Sequence, residues 1–378
     1  RDTDRSRGLG DVYKRQKMFF KIAAGIVAAV ILFAIVYVLY VVLQYRRIED
    51  EKTLEIKNPE TEKVRTKESY VVGTYNIGFG AYDKDFSFFM NKGRMLDGDM
   101  LIRGKYGKAA SREAVVRNTE GAFSAARALK PDFMLFQEVD EKSHRARGVN
   151  QLEAAREAFR DYSSVYAENF HTAYLLYPLN DPHGKTRAGI VTLFSKQAEK
   201  SVRYSYPVSG GFAKYFDLDR CFSATYFPVS NSEKRLVLVN QHMSAYDRGG
   251  VVRRRQWETL SRFISSEYLK GNYVIVGGDF NHDIAGSIGY FPTRQQKPDW
   301  VYPLRGEDLP EHFSFAASLN APTCRCSEMP YTKGVNYTLV IDGFIVSDNV
   351  TVKEVENIDT GFEFTDHNPV KMTFVLDE

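Results

Sequence analysis

The residues at positions 273–282, YVIVGGDFNH, place an acid, an amide and an imidazole directly after a strand-forming run. The first four residues of this stretch are apolar without alternation, which predicts a strand covered on both faces. Asp279 and Asn281 lie two residues apart, so in an extended chain their side chains face the same way. A carboxylate can take a proton from water, and an amide can donate to a phosphate oxygen or bind a metal. The pattern therefore indicates a phosphate site, although an ordinary Asp/Asn turn after a strand looks the same.

Other predicted strands also carry polar side chains at or near their ends. These side chains are Asn76, Glu138, Asn240 with His242, Asp366 with His367, and Asp342 in the middle of VIDGF. A single His or Asp in such a position is usually a hydrogen-bonded structural residue or a turn former. With the Asp279 and Asn281 pair, one chain has six such positions, which favours a shared chemical site.

Three helices and a series of strands must position these residues. Helices are predicted over residues 111–129, where Ser111 is the N-cap and Glu113 lies in the first turn, over 151–159 and over 251–269. Strand-like runs occur at SYVVGTYN, DFMLFQEVD, HTAYLLYPL, AGIVTLFSK, CFSATYFPV, RLVLVNQH, YVIVGGD, YTLVIDGFIVSD, VTVKEVENI and NPVKMTFVL.

The N-terminal part of the chain predicts a membrane anchor. Residues 22–43 carry no charge, and a helix of that length spans roughly 30 Å of hydrocarbon. No cleavage pattern follows, which favours an uncleaved, single-pass signal anchor over residues 18–43. The polar residues 1–17 are interpreted as a non-native leader with Met18 as the start, or else as a disordered tail. Residues 44–68 are dense in Glu, Lys and Thr and predict a solvated stalk.

The charges that flank the span do not decide its orientation. The short N-terminal side favours an orientation in which the large domain, residues 69–378, lies outside the cytoplasm. This domain contains 37 Lys/Arg and 38 Asp/Glu, so it is not a basic protein that coats polyanions. The three cysteines are too few for a disulfide framework or an all-cysteine zinc site. Cys324 and Cys326 are expected to be structural thiols rather than a strained bridge.

The motifs TYNIGFG, FQEVD, NQHMSAY, GGDFNH, VIDGFIVSD and TDHNPV, in this order, resemble the endonuclease/exonuclease/phosphatase superfamily. That group includes DNase I-like nucleases, abasic-site endonucleases, neutral sphingomyelinases and inositol-polyphosphate 5-phosphatases. The resemblance covers the chain from about Tyr70 onwards. It implies a four-layer α/β sandwich, with two mixed sheets flanked by helices and a site where strand ends meet. It also implies a metal-dependent phosphoric ester hydrolase.

By this resemblance, Glu138 is the principal ligand of Mg²⁺, or of Mn²⁺, and Asn76 is the amide beside it. Asp366 adds a further metal contact. Mg²⁺ keeps most of its waters, so one or two protein oxygens and a substrate phosphate suffice to hold it. Some nucleases of the group carry an acid where this chain has Gly78, so a second metal site is in doubt.

The resemblance also assigns the catalytic groups. Asp279 orients or deprotonates the attacking water, and Asn281 holds Asp279 and the phosphate. His242 and His367 flank the phosphate and stabilise the charge that develops on its oxygens. Asp342 hydrogen-bonds His367, fixing its tautomer and raising its pKa.

The substrate is expected to be a phosphodiester, with a nuclease-like activity first. Candidate substrate-binding residues are Arg253, Arg254 and Arg255 at the start of a helix, Asn240, and Arg145 after FQEVD. A phospholipid phosphodiesterase of the sphingomyelinase kind is the alternative, with the aromatic loop at residues 86–90 as its membrane contact. The aromatic residues of this loop are equally consistent with core positions. A phosphoinositide phosphatase and a non-catalytic binding module are less favoured. The expected partners are this phosphodiester and a lipid bilayer, with no obligate protein partner.

Overall fold

The computed structural model describes residues 2–208, 210–215, 218–245 and 250–378. The chain forms two units, Arg1–Arg46 and Arg47–Glu378. The first unit consists mainly of helix α1, Asp2–Gln44. Among the described residues, one helical segment, Tyr13–Gln44, has the length and composition to cross a membrane, with a mean hydropathy of 3.1. The helix begins well before the predicted span and includes most of the leader.

The second unit contains the other helices and all the strands. Its helices are α2 Arg112–Ala128, α3 Gln151–Ala158 and α4 Val251–Leu269. Its strands are β1 Lys52–Leu54, β2 Ser69–Asn76, β3 Lys92–Arg94, β4 Leu101–Arg103, β5 Phe133–Asp140, β6 Ser163–His171, β7 Arg187–Phe194, β8 Lys200–Ser205, β9 Cys221–Pro228, β10 Arg235–His242, β11 Tyr273–Asp279, β12 Phe313–Ala316, β13 Cys324–Arg325, β14 Thr338–Leu339, β15 Asp342–Ser347, β16 Val350–Asn357 and β17 Val370–Leu376. The three predicted helices are confirmed to within one residue, and Ser111 caps α2 by accepting a hydrogen bond from the backbone N–H of Ala114.

Two mixed sheets form the centre of this unit. The six-stranded sheet has the order β16-β17-β2-β5-β7-β6, and its parallel pair is β2 with β5. The seven-stranded sheet has the order β1-β8-β9-β10-β11-β15-β12, and its parallel pair is β10 with β11. In each sheet the parallel pair is central, so the carboxyl ends of these four strands supply adjacent positions for functional side chains.

The two sheets pack face to face, and helices cover their outer faces. Between the sheets, Leu135 of β5 lies in the same buried cluster as Leu238 of β10. On one outer side, Phe123 of α2 packs in a cluster with β5, and on the other, Leu260 of α4 packs in a cluster with Val276 of β11. The predicted four-layer α/β sandwich is confirmed, because each sheet buries both of its faces.

The segment predicted as a solvated stalk lies instead on the folded unit. Strand β1 pairs antiparallel with β8 and extends the seven-stranded sheet by one edge strand. Leu54 and Val64 are buried in the core cluster between the sheets, and Val64 forms a bridge with Val229. The charges of this segment face water, while its scattered apolar side chains fill core positions, which explains the absence of a clear sequence period.

The aromatic loop after β2 packs two of its rings into the folded unit. Phe86 and Phe88 are buried in a cluster with Phe79 and Tyr82, and the ring centroids of Tyr82 and Phe86 lie 5.0 Å apart. Of the two interpretations of this loop, core packing therefore holds for Phe86 and Phe88. Beyond the loop, β3 and β4 form an antiparallel hairpin.

Candidate active site

The register of the seven-stranded sheet aligns three of the predicted site residues. His242 at the end of β10 lies opposite Asp279 at the end of β11. Asp279 in turn lies opposite Asp342, the first residue of β15. Gly278 precedes Asp279 with φ 142°, and an added Cβ there would lie 2.0 Å from the backbone oxygen of Gln241. The close approach of β10 and β11 at this point thus requires a glycine.

The six-stranded sheet contributes Asn76 and Glu138. Asn76 ends β2 beside Gln137 of β5, and Glu138 lies at a register shift in the pairing of β5 with β7. The backbone of Glu138 has φ 55°, in the left-handed region that a glutamate rarely occupies. The bulge re-aims the Glu138 side chain, a common arrangement next to active sites. The amide Nδ2 of Asn76 lies 3.4 Å from Oε1 of Glu138.

Asp279 is the point where the two sheets meet. Asn76 donates a hydrogen bond from Nδ2 to Oδ2 of Asp279 at 3.1 Å. The same oxygen lies 3.4 Å from Nε2 of His242 and 3.8 Å from Nε2 of His367. Burial, and next the charge of Asp342, raise the pKa of Asp279 above its ordinary value. A carboxylate of raised pKa is a stronger base, which suits proton abstraction near neutral pH.

Asn281 supports Asp279 through its backbone. Its N–H donates to Oδ1 of Asp279 at 2.8 Å, and its side-chain Nδ2 donates to the carbonyl of Met243 at 2.8 Å. The residue has φ 50°, a left-handed conformation that asparagine tolerates well. The side-chain N–H group thus holds the loop after β10 against the loop after β11.

The two imidazoles have opposite electrostatic surroundings. Burial, and then the charges of Arg220, His367 and Arg145, lower the pKa of His242 well below its ordinary value. Burial also opposes the charged form of His367, but Asp342 accepts from its Nδ1 at 2.8 Å and raises its pKa well above the ordinary value. His242 is therefore neutral and His367 is cationic. The contact of His242 Nε2 with Oδ2 of Asp279, at 3.4 Å, is therefore one between a neutral ring and a carboxyl group rather than an ion pair.

The side-chain oxygens of Glu138, Asn76 and Asp366 are candidate ligands for a metal ion. Burial raises the pKa of Asp366 to about 6, and the nearby charge of Glu138 adds to this increase. Two partly or fully buried carboxylates that repel each other are what a divalent cation neutralises, and carboxylate and amide oxygens suit Mg²⁺. The residues therefore fit the implied metal, with Glu138, Asn76 and Asp366 as candidate ligands.

Two further details bear on the metal position. Gly78 has φ 52°, and an added Cβ would lie 2.8 Å from Tyr82 and 2.9 Å from Oγ1 of Thr365, so an acid there would not fit without displacement. In the part of the chain that the structure describes, donor atoms of Asp279, Asp342 and His367 also lie within 4.8 Å of one another. The Asp342–His367 hydrogen bond accounts for that group without an ion.

Three of the predicted substrate-binding residues are structural. Asn240 is fully buried, accepts from Nε2 of Gln137 at 2.9 Å and donates to the Val191 carbonyl at 3.0 Å. Arg145 is buried and forms a two-pronged ion pair with Asp140, at 2.9 and 2.7 Å. Their polar groups are thus committed to contacts between the sheets and behind β5. In both cases a neighbouring polar side chain in the core, Gln137 or Asp140, binds the group that would otherwise contact a substrate.

The arginines at the start of α4 divide into two kinds. Arg253 is buried, and its Nη1 donates to the carbonyls of Asn281 at 3.3 Å and Trp300 at 3.0 Å. Arg254 and Arg255 are exposed. Within the described part of the chain, the side chains of Arg254 and Arg255 make no buried contact, because successive residues of a helix point in different directions.

Sequence reasoning missed two residues beside the imidazoles. Arg220, just before β9, is close enough to lower the pKa of His242. Cys324 forms an isolated bridge with His367, and its thiol is one of the groups that raise the pKa of that ring. Neither residue belongs to a recognisable pattern: Arg220 lies in the loop before β9, and Cys324 begins the two-residue strand β13. All three cysteines are buried and unpaired.

Comparison with known proteins agrees with this geometry. The sequence matches the Endonuclease/Exonuclease/phosphatase family over residues 73–367. None of the curated proteins compared matches the chain. The chain resembles the endonuclease/exonuclease/phosphatase from Beutenbergia cavernae, with 14% identity, a TM-score of 0.54, and coverage of 82% of this chain and 72% of that one.

A second similar structure is TDP2 from Caenorhabditis elegans. It shares 15% identity and a TM-score of 0.50 with this chain, and the match covers 82% of this chain and 75% of that one. Likeness at this identity concerns the fold. The match to the family model, which spans most of the sequence, concerns descent. The chain belongs to the endonuclease/exonuclease/phosphatase family, whose members are phosphoester hydrolases.

Proposed function

We propose that this protein is a metal-dependent phosphodiesterase that cleaves its substrate by in-line attack of water. The observation that carries the proposal is the convergence of Asn76, His242 and His367 on the Asp279 carboxylate across two sheets. A buried carboxylate that accepts hydrogen bonds from the Asn76 amide and the Asn281 backbone, with one cationic and one neutral imidazole beside it, is an acid–base site rather than a structural ion pair.

In this proposal Asp279 takes a proton from the attacking water. Asn76 and the backbone of Asn281 hold both carboxylate oxygens in place, so the base does not rotate as it reacts. The cationic His367 donates to a phosphoryl oxygen and stabilises the charge that develops there. His242, neutral and fixed against Asp279, orients the phosphate. Mg²⁺ bound by Glu138, Asn76 and Asp366 would supply Lewis-acid stabilisation of the phosphoryl and leaving-group oxygens.

A nucleic acid is the first candidate substrate. Arg254 and Arg255 are exposed on the first turn of α4, and the underlying Arg253 contacts the loop that carries Asn281. Two cations beside the site favour a polyanionic strand, whose binding rests largely on phosphate contacts. A phospholipid head group is the second candidate, because exposed apolar side chains lie on the hairpin formed by β3 and β4.

We also propose that the protein is anchored in a membrane by residues 22–43 of α1, with the catalytic unit outside the cytoplasm. Support comes from the length and hydropathy of the helix. Protease treatment of intact cells that express the chain would degrade the catalytic unit if this orientation is right, and would leave it intact if it is wrong.

The test of the enzymatic proposal uses the full chain in detergent with plasmid DNA, RNA and sphingomyelin vesicles, each with Mg²⁺ and with EDTA. Cleavage that EDTA abolishes, and that Glu138→Gln also abolishes, is the expected result. Glu141→Gln is the matched control, because Glu141 lies on the same segment but pairs with Arg187. Turnover by the Glu138→Gln variant equal to that of the control would remove the metal assignment, and no turnover on any phosphodiester would overturn the function.

A further inference from the structure

The β3–β4 hairpin exposes apolar side chains at and beside its tip. Leu96, Met100 and Leu101 are 58%, 59% and 44% exposed. Met90 and Tyr106, on the two segments that lead into and out of the hairpin, are 55% and 47% exposed. Large aliphatic residues concentrated on one projecting element are unusual for a surface that meets only water, and they indicate a binding surface.

The acidic residues of the hairpin are neutralised within the protein. Asp97 lies 2.5 Å from Nη2 of Arg294, and Asp99 lies 2.8 Å from Nη1 of Arg94. The first pair fixes the turn between β3 and β4 to the segment that contains Arg294, whose backbone carbonyl also accepts from the N–H of Leu96 at 2.8 Å, and the second pair lies within the hairpin.

The remaining charges of this element are positive. Lys92, Arg103 and Lys105 are exposed and form no ion pair with the described residues. Lys92 and Arg103 lie opposite each other across the two strands. Like charges in that position repel each other. An anionic partner would remove this repulsion. The hairpin thus has an apolar tip and, at the other end of its two strands, positive side chains that are not neutralised.

The hairpin lies at the same end of the fold as the candidate active site. It follows β2, whose last residue is Asn76, and the N–H of Phe88 in the connecting loop donates to the carbonyl of Ser327 at 2.8 Å. Two residues earlier, the N–H of Arg325 donates to the carbonyl of Asp366 at 2.9 Å. The catalytic unit also begins at this end, because the N–H of Ile48 donates to Asp219, just before β9.

We propose that the β3–β4 hairpin contacts the surface of an anionic lipid bilayer, with Leu96, Met100 and Leu101 in the interface and the basic residues at the head groups. Aliphatic side chains next to lysine and arginine are the composition of an interfacial contact. A nucleic-acid strand would be met by aromatic rings, on which bases stack, and the tip residues 95–100 contain none.

The N-terminal helix gives a separate reason to expect a membrane close to the second unit. Helix α1 is long and apolar enough to cross a bilayer, and only Tyr45 and Arg46 separate its last residue, Gln44, from the second unit. The inference does not depend on the substrate of the site, since it concerns only where the hairpin lies when the chain is on a vesicle.

The test places an environment-sensitive fluorophore on the full chain through Met100→Cys, with Glu233→Cys as the matched control. Glu233 is exposed on the β9–β10 connection, at the opposite end of the fold, and the three native cysteines are buried and should not label. Both labelled chains are incorporated into vesicles of phosphatidylcholine and phosphatidylglycerol that contain brominated acyl chains. We expect blue-shifted emission and strong quenching at position 100, and neither at position 233.

A charge variant separates an anionic lipid contact from simple apolar adsorption. Lys92→Glu with Arg103→Glu should lose the blue shift at position 100, whereas Lys130→Glu with Lys353→Glu, exposed cations at the other end, should keep it. Equal emission at positions 100 and 233 on the vesicles would overturn the inference. A blue shift caused by a DNA oligonucleotide without vesicles would overturn it in favour of a nucleic-acid contact. Failure of the catalytic assay would leave these readings unchanged.

Discussion

Oδ2 of Asp342 lies 2.8 Å from Nδ1 of His367, and this buried hydrogen bond decides which imidazole of the site carries a charge. His242 lies less than 4 Å from the same Asp279 oxygen that His367 approaches, but no group among the described residues hydrogen-bonds its Nδ1, and the ring stays neutral. Two histidines with similar burial are thus placed in different roles by one second carboxylate.

Replacing Asp342 by Asn should lower kcat on the order of 100-fold with little change in KM. The variant keeps the shape of the side chain but removes the charge that holds His367 protonated, so transition-state stabilisation is lost while the substrate contacts remain. Steady-state kinetics at pH 7 would measure the effect.

Asp348→Asn is the control for this prediction. Asp348 follows the last residue of the same strand and pairs with His312 at 2.7 Å on the exposed, opposite end. This variant should keep wild-type kcat. A matching loss in both variants would show that the Asp342 effect is a general consequence of disturbing β15.

Asn240→Ala should destabilise the protein rather than weaken substrate binding. The change removes an acceptor for Gln137 and a donor to the Val191 carbonyl between the two sheets. Buried groups left without partners cost about 1–3 kcal/mol in the free energy of unfolding. Thermal unfolding and KM measured on the same preparation decide the matter, and a raised KM at unchanged stability would return Asn240 to the substrate site.

The arginines of α4 should separate by salt dependence if the substrate is a nucleic acid. Arg254→Ala and Arg255→Ala should each raise KM and reduce the slope of log affinity against log salt by about 0.7 to 0.9, the value for one phosphate contact. Arg253→Ala should lower stability and kcat without changing that slope, because its guanidinium binds the carbonyls of Asn281 and Trp300. A change of slope in the Arg253 variant alone would contradict this division.

Acid should destabilise the folded protein through His183. Burial, and next the charge of Arg145, lower the pKa of His183 to about 4, while its unfolded value is 6.5. Between these two pKa values the unfolded chain binds a proton at His183 that the folded chain does not bind. The free energy of unfolding is therefore unaffected by this ring above pH 6.5, and it decreases as the pH falls from 6.5 towards 4. The full loss is about 3 kcal/mol.

A His183→Asn variant should show a smaller drop in unfolding temperature between pH 7 and pH 4.5 than the wild-type chain. His144→Asn is the control, because His144 is exposed and should leave the wild-type drop unchanged. An unaltered pH dependence in the His183 variant would contradict the prediction.

The sequence was sufficient for the three helices and the strands that hold the site, and the resemblance of its motifs to a known superfamily implied the sandwich. Apolar runs and caps depend on short-range periodicity, which a sequence displays directly. The strand-end motifs also predicted that Asn76, His242, Asp279, Asp342 and His367 would lie together. The register of β10, β11 and β15 aligns His242, Asp279 and Asp342, while Asn76 and His367 reach this group by hydrogen bonds to Asp279 and Asp342.

Tertiary structure decided which polar residues remain available for chemistry. From the sequence, Arg145, Asn240, Arg254 and Arg255 are equally plausible substrate-binding residues. In the structure, Arg145 and Asn240 bind buried partners, whereas Arg254 and Arg255 are exposed to water. In the charged segment before Ser69, residues Lys52–Leu54 likewise form an edge strand, because β8 offers them unpaired backbone groups. A sequence shows what a side chain can do, and only its long-range neighbours determine its charge, its hydrogen bonds and its access to a ligand.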